Sequence, residues 1–354
     1  MKSFCKICGE NKRIKINKND FFLRSDSSHK KINNFKNFIC YNCGTIYHIP
    51  EINYKKLDNF YKNIYRKTNS ALDLGDGITV DLPLKFEWTN ISFQRFYAFF
   101  DILKKTGNNN IANKKIFDYG CYQGAFLYAC QNVLRTKGIG ADYDVNGLKL
   151  AKYFFNIETY NINESLFKRK VKAKIITLLH VFEHLINPID FLIKIKKNLL
   201  EKNGLIYLEI PNPFSNPLND PTHLFLYSEN TIKYILERCN YEILYFDKRE
   251  LFNNNSILRN NKKLNLHILA RSLGAKKIDF PKIYIGPKVY SDLLKERNLI
   301  GVYFIVKKLK YLFLSMIESC YIVIMFLLNL FSSNLAIYIH NKLKKMLRLL
   351  YAKY

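Results

Sequence analysis

Six short β-rich runs between Lys114 and Ser272, KKIFD, GIGAD, KIITLL, GLIYLEI, YEILYF and LNLHILA, alternate with helical stretches. This alternation constrains the fold most, because strands joined through helices pair side by side in one sheet and the helices cover its faces. It predicts an α/β domain with a doubly wound sheet over residues 109–272. The best-defined helix has Asn187 as N-cap and Pro188 at its first position, buries Leu192, Ile195 and Leu199, and ends at Gly204.

The 354 residues leave room for about two domains at roughly 150 residues each. With 48% hydrophobic and 15% aromatic residues, intrinsic disorder is excluded as the main character. Lys+Arg 56 against Asp+Glu 29 gives a net charge of +27. Part of that charge reflects a general crowding of Lys, Asn, Ile, Tyr and Phe. A basic chain suits nucleic acid, anionic lipid or a phosphorylated substrate, and charge alone does not choose among them.

Eight cysteines divide by position. Cys121, Cys130, Cys239 and Cys320 are scattered, whereas Cys5, Cys8, Cys40 and Cys43 form two Cys-x-x-Cys knuckles, each followed directly by a glycine, Gly9 and Gly44. Two such turns supply the tetrahedral sulfur set of a closed structural zinc site. The 31 intervening residues would form strands or loops packed by Phe21, Phe22 and Phe38. The N-terminus MKSFCKICGE lacks an apolar signal segment, so the expected compartment is the cytoplasm and the thiols are expected reduced.

Five segments follow. Residues 1–66 read as a zinc ribbon with a docking helix carrying Leu57, Phe60, Tyr61 and Tyr65; 67–108 as a linker and a helix from about Ser92 to Lys105; 109–272 as the α/β domain; 273–300 as a connector; 301–354 as a helical apolar and basic tail.

DYGCYQG follows the first strand with a turn that opens a helix, so Gly120 and Gly124 let a ligand approach the backbone and the free N–H groups of the helix start. Tyr122 stands where a dinucleotide fingerprint has its second glycine, which argues against a pyrophosphate cradle. Asp142 ends the second strand, 22 residues after Gly120, where a carboxylate can accept hydrogen bonds from both ribose hydroxyls. These residues resemble the class I S-adenosylmethionine-dependent methyltransferases. DYGCYQG looks like their glycine motif and GIGADYDVNGLKLAK like their ribose-binding segment. The stretches from Leu178 to Pro213 and from Asp220 to Leu244 are similar to the family's central and following blocks. With CYNCGTIYHIPE, residues 1–272 resemble the subgroup that carries an N-terminal zinc-binding domain. The resemblance implies a Rossmann-like fold and S-adenosylmethionine held at Asp118, Gly120, Cys121, Gly124, Asp142, Tyr143 and His180. His180 would pack on adenine or satisfy the core.

Methyl transfer from a sulfonium requires an aligned acceptor and, for a hydroxyl or carbon acid, removal of its proton. His184 and Glu183 lie just past the fourth strand and His223 in the loop after the fifth, on the rim where open α/β sheets bind ligands. They are the candidates for catalysis; the alternative is that Glu183 and His184 brace the loop. HVFEH also matches the His-x-x-Glu-His of inverted zinc peptidases, but Ile175–Leu179 is β-like and Pro188 follows soon, leaving little helix for it. On the helix before the glycine loop, Phe93 and Tyr97 suit core packing, while Arg95 can reach a cofactor carboxylate.

No charge occurs from Ser319 to Ile339, and lysines flank that stretch. Asn329, Ser332, Ser333 and Asn334 interrupt it as a membrane span. Leu335, Ile339, Leu343, Met346, Leu347 and Leu350 share one helical face, which fits an interfacial helix on an anionic membrane or a soluble packing or homodimer element. The reading is methyl transfer to a small-molecule or lipid-linked sugar acceptor, by a cytoplasmic protein, peripheral at the inner face of the membrane if the tail binds lipid. The alternative is an RNA-binding methyltransferase or a non-catalytic zinc-containing module. Dispersed basic residues, without a run interleaved with stacking aromatics, argue against nucleic acid.

Overall fold

Three short strands, β1 (Arg13–Lys15), β2 (Lys36–Cys40) and β3 (Ile46–Ile49), pair antiparallel and carry the two knuckles at their ends. Gly9 and Gly44 take φ of 73° and 70°, the conformation the turns after the second cysteines need. The structure is a computed structural model that describes residues 4–16, 36–49, 72–73, 79–80, 82–162, 164–169, 171–214, 222–250, 264–274 and 281–295, with the backbone alone for 72–73, 79–80 and 82–90. Phe21, Phe22, the expected helix with Leu57, Phe60, Tyr61 and Tyr65, and the tail lie outside the described residues.

A two-stranded ribbon, β4 (Leu72–Asp73) and β5 (Thr79–Val80), precedes helix α1 (Leu82–Lys105). The helix thus begins ten residues before the expected Ser92; Pro83 sits in its first turn, where a missing N–H costs nothing, rather than in a linker. Then come β6 (Lys115–Tyr119), α2 (Ala125–Leu134), β7 (Lys137–Asp142), α3 (Val145–Phe155), β8 (Glu158–Asn161), β9 (Ala173–Leu179), α4 (Pro188–Asn198), β10 (Leu200–Pro211), β11 (Phe225–Leu226), α5 (Glu229–Arg238), β12 (Tyr241–Glu250) and β13 (Leu264–Ser272).

The seven-stranded sheet has the order β12-β13-β10-β9-β6-β7-β8. Strands β8, β7, β6, β9 and β10 run parallel, and β13 pairs antiparallel with both β10 and β12. This is a Rossmann-like, doubly wound sheet with one antiparallel strand, as the alternation of strands and helices predicts. All six β-rich runs are strands of this sheet. The seventh strand, β8, has the polar sequence ETYN and lies at the edge, half-exposed, where no apolar alternation is required.

Side chains alternate across the sheet with the strand period. Phe117, Ile176 and Leu208 face one core with Leu192 and Ile195 of α4 and Ile232 and Ile235 of α5. Ile116, Ile175 and Tyr207 face the other with Phe99, Ile102 and Leu103 of α1 and Leu127 of α2. Each such side chain contributes roughly 1.5–3 kcal/mol by leaving water. Helix α4 ends at Asn198, and Leu199 is its buried C-cap rather than part of a helix running to Gly204. Pro188 occupies the first turn as expected, but the Asn187 side chain makes no cap hydrogen bond.

Residues 1–294 cluster as one unit. Strand β11 leaves the α/β domain and pairs with β3, Phe225 opposite Tyr47 and Leu226 opposite Ile46, so the small sheet reads β1-β2-β3-β11. Residues 281–285 and a helix over 286–295 lie across the ribbon: the backbone N–H groups of Ile283 and Tyr284 donate to Asn42 Oδ1 at 2.6 and 3.1 Å, and Val289 and Leu293 pack with Ile39, Ile46 and Leu226. Among the described residues, no helix is long and apolar enough to cross a membrane.

Candidate active site and thiolate cluster

The four knuckle sulfurs come together. Cys5 Sγ lies 3.7 Å from Cys43 Sγ, and Cys8 Sγ lies 3.5 Å from Cys40 Sγ. Four 2.3 Å bonds to a tetrahedral zinc put sulfurs about 3.8 Å apart, so the donor set and its spacing fit the ion. Burial drives the Cys43 thiol well above its usual range, while hydrogen bonds from its neighbours pull Cys8 down. Four thiolates so close need a cation to coexist. The described cysteines form no disulfide.

At the carboxyl edge of the large sheet, Gly120 has φ of 88°, and a Cβ there would lie 2.5 Å from Val181 Cγ2. The loops after β6 and β9 therefore touch at a residue that must lack a side chain. Gly124, with φ of 77°, is the N-cap of α2. Asp142 ties the loop down: its Oδ2 accepts from the Tyr122 N–H at 2.7 Å and its Oδ1 from the Asp144 N–H at 2.9 Å. That carboxylate compensates the left-handed backbone of Tyr122, whose φ is 47°. The Tyr122 ring packs on Gly147 of α3, which explains how the loop accepts a bulky residue where a dinucleotide fingerprint has its second glycine. The loop, the start of α2 and Asp142 thus lie side by side at the carboxyl edge of the sheet, tied together by the Tyr122 hydrogen bond. Tyr143 packs partly buried against the core beside Asp142.

Two loop residues sit deeper than a cofactor contact requires. Cys121 is 7% exposed, with its sulfur over Gly140. Asp118 is 2% exposed and accepts a 2.6 Å hydrogen bond from Thr177 Oγ1. Burial raises the Asp118 carboxyl to about 7, and the Thr177 bond only partly opposes it. With its folded value above its unfolded one, this acid contributes stability below about pH 4 and loses it as pH rises through about 7. Asp118→Asn, which cannot ionise, is expected to be about 1–3 kcal/mol more stable than the parent at pH 8 and no more stable at pH 4. Denaturant unfolding at both pH values measures this, and a difference that ignores pH would refute it.

Beyond β9, a buried ionic network supports the rim. His180, with φ of 56°, places Nδ1 3.2 Å from Glu183 Oε1 and Nε2 3.1 Å from Glu209 Oε1. Burial opposes its charge, but the two carboxylates prevail and bring His180 to about 9. Arg95 Nε donates to Glu209 Oε1 at 3.0 Å, and Asn265 Nδ2 donates to the same oxygen at 3.0 Å. Arg95 is anchored through Nε to Glu209, a buried carboxylate that requires it. Phe93 packs partly buried on the core, whereas Tyr97 is 68% exposed and does not. Sequence reasoning missed Glu209 and Asn265. An acid inside the apolar run GLIYLEI was the available signal, since a buried carboxylate needs partners.

His184 and His223 meet as expected, with ring centroids 4.9 Å apart. The Nδ1 of His184 lies 2.8 Å from the Thr222 carbonyl oxygen, which can only accept, so Nδ1 carries a proton and Nε2 faces Glu183 Oε1 at 3.8 Å. Glu183 is fully buried, and the His180 partnership outweighs its burial to hold it at about 2. The HVFEH stretch forms only a single short turn, Phe182–His184, so the peptidase geometry of a shared helix face is absent there. Close to both histidine loops, Phe4, Lys6, Tyr47, His48, Ile186, Leu224 and Phe225 line a shallow depression between the ribbon and the rim.

Residues 92–246 match the family model of a methyltransferase domain. A ubiquinone biosynthesis O-methyltransferase of Pelagibacter ubique (strain HTCC1062) is 27% identical over 117 residues, which are 32% of this chain and 48% of the relative. The chain thus spans about half the length of the curated relative it matches. Among solved structures, an S-adenosylmethionine-dependent methyltransferase from Archaeoglobus fulgidus is similar over 50% of this chain and 94% of its own, at 20% identity and a TM-score of 0.37. The YcgJ protein from Bacillus subtilis is similar over 49% and 98%, at 14% identity and a TM-score of 0.39.

Proposed function

We propose that this chain is an S-adenosylmethionine-dependent methyltransferase with a structural zinc ribbon, acting on a small-molecule or membrane-linked acceptor, of which a nucleotide-sugar or a surface-glycan sugar is the preferred class. The observation that carries this reading is the Gly120–Gly124 turn locked to Asp142 at the carboxyl edge of the sheet, beside the His184 and His223 rim, in a domain that matches the methyltransferase model. The cofactor supplies an electrophilic methyl group on a sulfonium. The start of α2 and Asp142 would hold its nucleoside, Asp142 through the ribose hydroxyls. His184 and His223 would orient the acceptor, and Nε2 of His184 would take the acceptor's proton as the methyl leaves sulfur. The neutral thioether remaining is the leaving group.

The acceptor class rests on the resemblance to the methyltransferases with an N-terminal zinc-binding domain and on the apolar and basic tail. The relative's O-methyl transfer supports an oxygen acceptor. Mass spectrometry of nucleotide-sugars and surface glycans from cells with and without the protein tests the class: a sugar 14 Da lighter in its absence supports it, and unchanged sugar profiles oppose it.

Localisation follows the tail. From Gly301 onward Lys+Arg number 8 against one Glu, 8 − 1 = +7, and each basic residue near an anionic surface contributes about 1 kcal/mol. Deleting residues after Val306 is expected to leave cofactor binding intact, raise solubility and abolish flotation with anionic liposomes. Full-length protein that ignores such liposomes would make the tail a packing or dimer element instead.

A further inference from the structure

The geometry points to a second metal site, a divalent cation held by Glu183, His184 and His223, whose open coordination positions take the acceptor's oxygen. The inference rests on the methyltransferase reading and makes its acceptor chemistry specific.

One donor atom from each of the three residues falls within 4.8 Å of the other two. They come from two loops on the sheet rim, and a cation between them would join both loops. The chemistry of the donors is more telling than their proximity. Glu183 is 0% exposed, yet its Oε2 accepts no hydrogen bond. A buried carboxylate oxygen left in that state is costly, and a cation is one of few partners that repay it. Its other oxygen faces His184 Nε2 at 3.8 Å. With Nδ1 of that ring on the Thr222 carbonyl, Nε2 is the nitrogen turned toward the carboxylate, whose Oε1 also pairs with His180 Nδ1 at 3.2 Å, so the unpartnered Oε2 is the oxygen left for a cation. A carbonyl fixing the far nitrogen is also how proteins orient a metal-ligating imidazole.

Two imidazoles and one carboxylate form the three-ligand set of open catalytic centres, suited to Zn²⁺, Mn²⁺ or Fe²⁺ rather than to Mg²⁺ or Ca²⁺ held by oxygen alone. Bonds of about 2.0–2.2 Å keep neighbouring donors roughly 3–4 Å apart. The donors lie within 4.8 Å of one another, so binding would draw the two loops together by a fraction of that distance. Strand β11 begins two residues after His223 and is paired to the ribbon, which supplies a firm anchor for that movement. The ion would polarise a bound hydroxyl and lower its pKa; with both imidazoles ligating, the proton would leave to solvent water, and His184 would act as a ligand in place of the base.

Mn²⁺ titrated into the full-length protein and followed by electron paramagnetic resonance tests the site, with S-adenosylmethionine affinity measured on the same samples. One Mn²⁺ per chain is expected at submillimolar concentration, weakened about tenfold or more in His223→Ala and in Glu183→Gln, with cofactor affinity unchanged. His223 is partly exposed, so its variant keeps the test meaningful if Glu183→Gln fails to fold. Absence of Mn²⁺, Co²⁺ or Zn²⁺ binding beyond the four-cysteine site, in protein that does bind S-adenosylmethionine, overturns the inference. Binding that persists in His223→Ala also overturns it. Loss of cofactor binding in the parent protein would instead count against the methyltransferase reading itself.

Discussion

Chelating the zinc proposed at Cys5, Cys8, Cys40 and Cys43 is expected to unfold the ribbon and, with it, disorder the loop that carries His223. Strands β1, β2 and β3 have three, five and four residues, too little sheet to hold together alone. Zinc binding to such four-ligand sites is coupled to folding and contributes on the order of 10–16 kcal/mol in small peptides. The consequence spreads because Cys5, Cys40 and Cys43 belong to the same core cluster as Phe182, Phe225 and Tyr227, and β3 is the pairing partner of β11. A strong chelator, or Cys40→Ser, should therefore lower the melting temperature by about 10 °C or more. It should also raise amide exchange both in residues 36–49 and in 222–227. Metal analysis finding no zinc, or exchange that rises in the ribbon alone, would contradict this coupling.

Gly120→Ala is expected to be nearly as damaging by a different route. Its φ of 88° costs a residue with a Cβ roughly 1–2 kcal/mol. The added carbon would meet Val181 Cγ2 at 2.5 Å, and such overpacking costs typically about 1–3 kcal/mol more. Relief requires the loops after β6 and β9 to separate, the movement that would also open the proposed nucleoside site. We therefore expect destabilisation of about 2–5 kcal/mol and at least about a tenfold loss of S-adenosylmethionine affinity. Val181→Ala in the same chain should recover the steric part and leave the backbone part. A double variant no better than Gly120→Ala would show that Val181 is not the obstacle.

What could be read from the sequence divides by the range of the interactions. Apolar runs such as KIITLL declare a buried strand locally, and the glycines of DYGCYQG declare a turn, because both follow from what neighbouring residues can do. The four cysteines were legible for the same reason, their spacing being a property of two tight turns. Strand β8 was not, since an edge strand of sequence ETYN needs no apolar face. Strand β11 was not either: two residues gain their identity as a strand only by pairing with β3, nearly 180 positions away. The pairing of Arg95 with Glu209 spans 114 positions, and nothing local distinguishes it from an arginine facing a ligand. His184 and His223 could be placed on one rim from strand order, but the Thr222 carbonyl that fixes the His184 tautomer is visible only in three dimensions.

Isothermal titration of the full-length protein with S-adenosylmethionine, run beside Asp142→Ala, tests the central claim most directly. The account predicts one site per chain with a dissociation constant of about 1–100 µM. The Asp142→Ala variant should bind at least about tenfold more weakly, since the carboxylate both holds the Tyr122 backbone and would receive the ribose. No heat of binding at millimolar S-adenosylmethionine, or full affinity retained in Asp142→Ala, would contradict it.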